Sequence, residues 1–315
     1  MSILVYAENW NGKFKKSTFE VVSYAKEIAK TLNQELNAIT IGEVIEEELK
    51  KLGTYGIKKV FKCSNIEKKD DEAATNILEQ IVNDSEIIIF SQSYSSQIIA
   101  ARLSVRIEAG LINNIIDIPS SFSPLIVNRK TFSSKAIETV EATTKKTILS
   151  ISPNSYKIVE SKEDIVTENI QGIKKEKIKI IKQEATKSTI SLSEAEIIVS
   201  AGRGLKNGDN WKMIEDLAVL LKAATACSKP VSDMGWRPHS EHVGQTGKTV
   251  SPNLYIAIGI SGAIQHLAGV NSSKVIVVIN TDPEAPFFKA ADYGIVGDAF
   301  EIIPKLTEEI RKIAE

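Results

Sequence analysis

The stretch Leu254-Tyr-Ile-Ala-Ile-Gly-Ile-Ser-Gly-Ala-Ile-Gln-His-Leu-Ala-Gly269, followed by Lys274-Val-Ile-Val-Val-Ile-Asn280, decides the fold of this chain. It predicts a strand, a tight glycine turn, a short helix and a second strand. The apolar run that opens the stretch has the length of a buried parallel strand. Gly259 and Gly262 allow the backbone to turn sharply because neither carries a Cβ atom.

The same stretch predicts a site for an anion. Ser261 stands where the N-cap of the short helix is expected, and the free backbone N–H groups behind it favour negative charge. The second strand ends in the polar Asn280, at the carboxyl edge of the sheet, where open α/β sheets bind their ligands. We therefore expect a phosphate-bearing ligand at the turn formed by residues 259–266.

These residues resemble the signature of the electron-transferring flavoprotein alpha subunit family. The match runs through the whole quoted stretch, and one position departs from it: Val278 stands where the signature usually has alanine. Further blocks in the family's order are Ser200-Ala-Gly-Arg-Gly-Leu205, Val243-Gly-Gln-Thr-Gly247, and Asp282-Pro-Glu-Ala-Pro286 followed by Ala291-Asp-Tyr-Gly-Ile295.

Length and composition agree with a globular protein of two domains. The chain has 315 residues, 43% of them hydrophobic and 25% charged, which is typical of such proteins. A formal net charge of -1 gives no general basic surface for nucleic acid or anionic membranes. The two cysteines match no metal spacing, and no apolar run reaches the length of a bilayer span. The N-terminus enters a strand without a basic leader, so we expect a cytoplasmic protein.

Strand and helix patterns alternate through the first 120 residues, which predicts a mostly parallel sheet with helices on both faces. Within that domain, Ser17-x-x-Glu20 has capping-box spacing, and Gly110 is expected to end a helix. Short β-rich pieces between Ile126 and Glu168 predict a β extension that finishes the domain. The alternation restarts after Ser188, and there Lys229 to Asp233 is predicted to be a short strand.

We place the domain boundary at residue 188, which gives an α/β domain with a β extension over residues 1–188 and a second α/β domain over residues 189–315. Before that boundary, residues 171–188 carry six lysines. An exposed strand and linker is favoured over a nucleic-acid patch, because isoleucines alternate with the lysines as in a half-buried strand.

Three motifs that suggest other functions fail on their spacing. Gly244-Gln-Thr-Gly-Lys-Thr249 lacks the first glycine of a P-loop and precedes a strand, so a P-loop NTPase is rejected. Gly202-Arg-Gly204 lacks the third glycine of the dinucleotide fingerprint. His239-x-x-His242 has no further metal ligands in a suitable pattern, so we interpret both as solvated loop histidines and assign no metal.

The resemblance implies a nucleotide-hydrolase-like first domain that contacts partners. It also implies a second domain with a deoxyhypusine-synthase-like variant of the Rossmann-type fold, which binds one FAD. It implies a heterodimer with a beta subunit that carries AMP. The pair would be an electron carrier rather than an enzyme, taking electrons from flavin dehydrogenases such as the acyl-CoA dehydrogenases of fatty acid beta-oxidation and passing them to a membrane quinone reductase.

Carried over position by position, the resemblance predicts the residues that contact FAD: Arg203, Ser228, Lys229, Val243, Gly244, Gln245, Thr246, Ser261, Gly262, Ala263, Ile264, Gln265, His266, Asn280 and Asp298. It implies Ser261 at the pyrophosphate, and Asn280 with Asp298 at the ribose and adenine. Gln245, Thr246 and His266 would reach the ribityl chain and flavin ring, with Thr246 at N5 and His266 near O2. Lys229 stands where the family commonly has arginine, which keeps the charge but loses the planar guanidinium.

Two other functions remain open at this point. One is an NAD-binding enzyme with the deoxyhypusine-synthase-like fold, which would need a catalytic lysine or an acid–base pair near the turn. The other is a nucleotide-sensing or structural subunit that has lost its flavin. The absorbance spectrum separates the three, because only a bound flavin makes the protein yellow.

Overall fold

The computed structural model describes residues 2–66, 70–172, 181–182 and 191–314. The chain divides into two compact units. The first comprises Met1–Thr131 and Ala136–Gln183, and the second comprises Phe132–Lys135 and Glu184–Glu315. Both units are α/β, and each has its own sheet.

The first unit contains twelve strands among its described residues: β1 (Ser2–Tyr6), β2 (Asn9–Trp10), β3 (Lys13–Phe14), β4 (Glu35–Ile41), β5 (Lys59–Cys63), β6 (Ser85–Ser91), β7 (Gly110–Ile115), β8 (Ser121–Phe122), β9 (Leu125–Thr131), β10 (Ala136–Ala142), β11 (Thr147–Ile151) and β12 (Val166–Asn169). Its helices are α1 (Lys16–Leu32), α2 (Glu46–Thr54), α3 (Asp71–Ile81) and α4 (Tyr94–Arg106), and a 3-10 turn covers Val82–Asp84. The main sheet has the strand order β10-β9-β7-β11-β6-β1-β4-β5-β12, with β8 paired to β9.

Both faces of this sheet are covered, as the alternating pattern predicts. Along β1, Ile3 and Val5 point into one apolar cluster, which contains the buried side chains of α1 and α2. Leu4 and Tyr6 point into a second cluster, which contains those of α3 and α4. Because successive side chains of a strand point to opposite faces, one five-residue strand supplies both layers of core.

The predicted β extension is partly wrong. The strand Thr147–Ile151 does not extend the domain: it lies inside the sheet, parallel to both β6 and β7, and all five of its residues are buried. A strand covered on both faces tolerates a continuous apolar run, which is what Ile148 and Leu149 supply. The other pieces do lie at the edges of the sheet: the hairpin of β9 and β10 pairs antiparallel at one end, and β12 pairs parallel with β5 at the other.

Two residues that the sequence predicts to begin or end a helix, Glu20 and Gly110, have other roles. Helix α1 begins at Lys16 without a side-chain cap. The buried carboxylate of Glu20 instead accepts the backbone N–H groups of Asn154 (3.1 Å) and Tyr156 (2.8 Å). Gly110 does not end a helix, because α4 stops at Arg106 and Gly110 is the first residue of β7.

The predicted boundary at Ser188 falls outside the described residues, and so do five of the six lysines before it. The sixth, Lys182, is exposed. The boundary and the interpretation of the lysine-rich segment as a linker therefore stay predictions.

The second unit contains β13 (Ile197–Ala201), β14 (Ala224–Cys227), β15 (Leu254–Ile258), β16 (Val275–Asn280) and β17 (Tyr293–Val296). Its helices are α5 (Lys212–Leu220), α6 (Lys229–Asp233), α7 (Ile264–Val270) and α8 (Ala299–Ala314), with 3-10 turns at Arg203–Leu205, Gly208–Trp211, His239–Glu241 and Pro286–Ala290. The sheet has the order β14-β13-β15-β16-β17, and every pair of neighbours is parallel.

The strand predicted for Lys229–Asp233 is wrong, because these residues form helix α6. Ser228 occupies the N-cap position, and Pro230 lies in the first turn. Proline fits the first turn of a helix, where its missing N–H is not needed, whereas inside a sheet it would remove a ladder hydrogen bond. The strand that the helix follows is β14, which ends at Cys227.

In the sheet of the second unit, the direction in which successive strands are added reverses once. From β13 the chain moves outward to β14, then returns to the other side of β13 and continues through β15, β16 and β17. The crevice at the carboxyl ends of β13 and β15 is therefore the topological switch point, where such sheets bind ligands. Among the described residues, every helix falls short of the length or apolar character that crossing a bilayer requires.

Candidate functional site

A cavity of ≈ 560 Å³ opens at this switch point, within the size range of small-molecule sites. Five segments form its wall: the turn after β13, the start of α6, the loop after residue 241, the turn between β15 and α7, and the end of β16. The lining residues are Arg203, Gly204, Ser228, Lys229, Pro230, His242, Val243, Gly244, Gln245, Thr246, Gly259, Ile260, Ser261, Ala263, Gln265, His266, Asn280, Asp282 and Ala285.

The predicted site residues therefore converge, with three exceptions: Gly262, Ile264 and Asp298 do not line the cavity. Gly262 is buried against Phe287, and the side chain of Ile264 is 74% exposed. The carboxylate of Asp298 accepts the backbone N–H of Phe300 at the start of α8 (2.9 Å), and the same hydrogen bond holds its pKa below the usual range. Its contact with a ribose or adenine stays a prediction.

The glycine motif after β13 has a structural role that its incomplete fingerprint does not indicate. The N–H of Gly204 donates to the carbonyl of Gly259 (3.1 Å). A Cβ on Gly204 would lie 2.6 Å from the Cα of Gly259, and one on Gly202 would lie 2.3 Å from the Gly259 oxygen. The turns after β13 and β15 are thus in direct backbone contact, which only glycine permits here.

Ser261 is not the N-cap of α7. The helix begins at Ile264 with Ala263 at the cap position, and no side chain caps it. Ser261 lies earlier in the turn, where its carbonyl accepts the N–H of Phe287 (3.1 Å) and its exposed side chain lines the cavity. The turn is longer than predicted because Gly262 adopts a positive φ of 83° and adds a second change of direction.

The loop that carries Gln245 and Thr246 is held against α7. The N–H of Gln245 donates to the carbonyl of Gln265 (2.7 Å). Gly244 adopts φ 149°, and a Cβ on Gly269 would lie 2.5 Å from the Gly244 nitrogen. Because this contact fixes the loop, the exposed side chains of Gln245 and Thr246 lie on the cavity wall together with His266.

His266 is buried and uncharged at neutral pH. Its side chain is 7% exposed, and its Nε2 lies 3.0 Å from the hydroxyl of Tyr255. Burial, followed by the nearby His242, lowers the pKa of His266 to about 4. A neutral imidazole offers the cavity a hydrogen-bonding dipole rather than a positive charge.

The interpretation of both loop histidines as solvated is wrong for His242. His239 is exposed, but His242 is only 2% exposed and lines the cavity. The backbone of His242 forms a bridge with Cys227, the last residue of β14, and this bridge carries the side chain inward. The motif contains no apolar periodicity that would have indicated burial.

Most of the charged side chains that line the cavity are cationic, and they lie at its rim. Arg203 and Lys229 are exposed and line the opening, and both are positively charged at neutral pH. The amide of Asn280 is fixed nearby, because its Nδ2 donates to the Ile260 carbonyl (3.0 Å). One carboxylate, that of Asp282, also lines the cavity. Two cations near exposed loop backbone suit an anion such as a diphosphate.

Seven lining residues are not among those that the resemblance predicts to contact FAD: Gly204, Pro230, His242, Gly259, Ile260, Asp282 and Ala285. Most of them belong to blocks already singled out, since Gly259 and Ile260 lie in the glycine turn and Asp282 and Ala285 in the block after β16. These residues could therefore have been predicted from their position beside other site residues in the sequence. His242 lies one residue before such a block, and no pattern in its neighbourhood favours burial over exposure.

Comparison with known proteins agrees with this geometry. The family model described as "Electron transfer flavoprotein domain" matches residues 3–186, and that described as "Electron transfer flavoprotein FAD-binding domain" matches residues 191–271. The electron transfer flavoprotein subunit alpha of Bacillus subtilis is 36% identical, covering 99% of this chain and 98% of the relative. The protein of the same name from Pseudomonas aeruginosa is 34% identical, covering 98% and 100%.

A third relative, from Syntrophomonas wolfei, carries the same name and is 33% identical, covering 98% of each chain. These full-length matches favour the flavoprotein over the NAD-binding enzyme. With family models that match residues in both units, relatives of the same name that match nearly the whole chain, and a cavity built from the signature residues, the chain belongs to the electron transfer flavoprotein alpha subunit family.

Proposed function

We propose that this chain is the FAD-binding alpha subunit of an electron transfer flavoprotein, a carrier of electrons rather than an enzyme with a substrate of its own. The observation that supports it best is the cavity at the switch point of the second unit. There, signature residues that are far apart in sequence share one wall, and two cations stand at its rim.

The residues at one part of the cavity wall are suited to bind the diphosphate of FAD. Most of the turn from Gly259 to Ala263 lines the cavity, and Arg203 and Lys229 bring positive charge to the same opening. Phosphate groups bind where backbone N–H groups and cationic side chains converge. We assign the diphosphate to this turn, and the adenine and ribose to the side of Asn280.

The opposite part of the wall suits the flavin ring. Gln245 and Thr246 present exposed polar side chains on a loop fixed against α7, and His266 adds a buried neutral imidazole. When bound, FAD supplies the redox chemistry by accepting and releasing electrons. The role of these residues is to hold the ring, donate hydrogen bonds to its polar edge and limit access of water.

The finer parts of the function rest on the family. The name "subunit alpha" of the relatives supports a heterodimer, and we propose a beta subunit that carries AMP. The pair would receive electrons from flavin dehydrogenases, such as the acyl-CoA dehydrogenases of beta-oxidation, and deliver them to a membrane quinone reductase. We propose the cytoplasm as its compartment.

The test is purification of the chain together with its coexpressed beta subunit. We expect a yellow complex that releases one FAD per alpha chain on denaturation, identified by chromatography of the released cofactor. A double variant, Arg203→Ala with Lys229→Ala, should retain less FAD at the same salt concentration. A colourless complex that takes up neither FAD nor FMN would contradict the proposal. A complex that binds NAD instead would favour the NAD-binding enzyme with the deoxyhypusine-synthase-like fold.

A further inference from the structure

All three histidines of the chain belong to one small region of the second unit. His239 is exposed, and its ring centroid lies 5.3 Å from that of His242. His242 and His266 are both buried, and both line the cavity. The three imidazoles thus lead from the surface to the ligand cavity.

His242 has unused hydrogen-bonding capacity inside the protein. Its Nδ1 is buried, and among the residues that the structure describes no atom accepts from it or donates to it. Leaving a buried polar atom unpaired is costly, so such a group in a ligand cavity points to a functional use. The Nδ1 of His266 is likewise buried without a partner, but its Nε2 is engaged by the hydroxyl of Tyr255 (3.0 Å), and burial lowers its pKa to about 4.

The loop around His242 is shaped to admit its ring. A Cβ on Gly247 would lie 2.8 Å from the Nδ1 of His242, and one on Gly244 would lie 3.4 Å from its Nε2. The same Cβ on Gly244 would lie 3.6 Å from the Cα of His266. Gly247 must therefore lack a Cβ for the loop to close around the imidazole, while the Gly244 position lies at ordinary contact distance from both His242 and His266.

We propose that His242 takes up one proton from solvent when an electron reaches the flavin ring of bound FAD. This inference rests on the proposed function. The electron comes from the partner dehydrogenase, and the proton comes from water at the surface beside His239. One N–H bond forms on the His242 ring, and no other covalent bond in the protein changes. The net charge added to the cavity is therefore zero.

The groups that face His242 keep it neutral before the electron arrives. Its pKa is lowered chiefly by burial and then by His239, while Asp233 opposes this and Lys229 adds to it. His266 is neutral, and Arg237 is paired with Glu241 (2.7 Å). A new negative charge in the cavity favours the protonated imidazole and moves the balance toward proton uptake.

The experiment measures the midpoint potential of the one-electron couple in the FAD-loaded complex between about pH 6 and 8. For the native protein we expect the potential to fall by about 59 mV for each tenfold decrease in proton concentration. His242→Gln, which keeps a polar side chain but cannot be protonated, should remove this dependence. His239→Gln is the matched control and should retain the slope, because His242, the group that takes up the proton, is still present.

A second measurement does not depend on any variant. With histidine isotopically labelled in this chain alone, NMR should show three imidazoles, of which His242 becomes protonated on reduction while His266 stays neutral. A native potential independent of pH, the same slope in His242→Gln, or a His242 that stays neutral would overturn the inference. Each of these outcomes leaves FAD binding intact, whereas a complex without FAD would overturn the proposed function together with this inference.

Discussion

The hydroxyl of Tyr255 lies 3.0 Å from the Nε2 of His266, and both side chains are buried in the second unit. The two residues come from different elements, Tyr255 from the second position of β15 and His266 from α7. The strand thus fixes the orientation of an imidazole that the helix delivers to the cavity.

The first prediction concerns the tautomer of His266. Burial raises the pKa of Tyr255, so its hydroxyl stays protonated and can donate to Nε2, which places the ring proton on Nδ1. Tyr255→Phe should produce a mixture of tautomers and cost about 1 kcal/mol of stability through the lost hydrogen bond. Nitrogen-15 NMR of the imidazoles reports the tautomer, and the exposed His239 in the same spectrum is the control. If the His266 signals are unchanged in the variant, Tyr255 does not determine the tautomer of His266.

The second prediction concerns the contact between two glycine turns. Gly204→Ala forces a Cβ against the backbone of Gly259, which cannot move as a side chain can. We expect a loss of about 1 to 3 kcal/mol and weaker retention of FAD. Gly208→Ala is the control, since its Cβ would meet only the Trp236 side chain at 3.2 Å. Thermal unfolding with and without FAD measures both effects, and equal stability of the two variants would contradict the argument.

The third prediction concerns Lys229 at the rim of the cavity. Lys229→Arg keeps the positive charge but adds a planar guanidinium, which can stack on a ring or form paired hydrogen bonds. FAD should still bind, while the one-electron midpoint potential of the complex changes. Redox titration at fixed pH and salt tests this, and an unchanged potential would show that the lysine lies too far from the ring to influence it.

The fourth prediction concerns stability in acid. Because the pKa of His266 is lowered to about 4 in the folded protein, the unfolded chain binds the proton more readily between about pH 4 and 6.5. His266 therefore contributes stability that is present above about pH 6.5 and is lost as the pH falls toward 4. The contribution is on the order of 3 kcal/mol.

The measurement is urea unfolding of the native protein, His266→Gln and His239→Gln across this pH range. His266→Gln is expected to be less stable at pH 7 but to lose less stability on acidification, since it has no imidazole to charge. His239→Gln should follow the native curve. If the native protein and His266→Gln lose stability in parallel, the histidine is not buried in its neutral form.

The sequence predicted most of the second unit because local and long-range signals agree there. The apolar run that begins at Leu254 predicts a buried strand, and β15 is that strand. The glycine turn was also predicted, but the exact start of α7 was not. A serine beside a glycine satisfies the N-cap preference, and only the packing of Gly262 against Phe287 shows that the helix starts later.

The remaining differences arise where tertiary contacts overrule local preference. Glu20 has the spacing of a capping residue, yet it binds backbone N–H groups more than a hundred residues away. His242 looks like a loop residue, yet a bridge to the end of β14 buries it. Such pairings join segments that are distant in sequence, so no window of neighbouring residues contains them.

The position of β11 has a consequence for synthesis of the chain. This strand separates β6 from β7, although it follows both in sequence. A nascent chain, or a truncated fragment, that ends before Thr147 leaves β6 and β7 each with an unpaired edge, which is a template for aggregation. About half of the protein must therefore leave the ribosome before its first unit can close, and any shorter expression fragment of that unit should be insoluble.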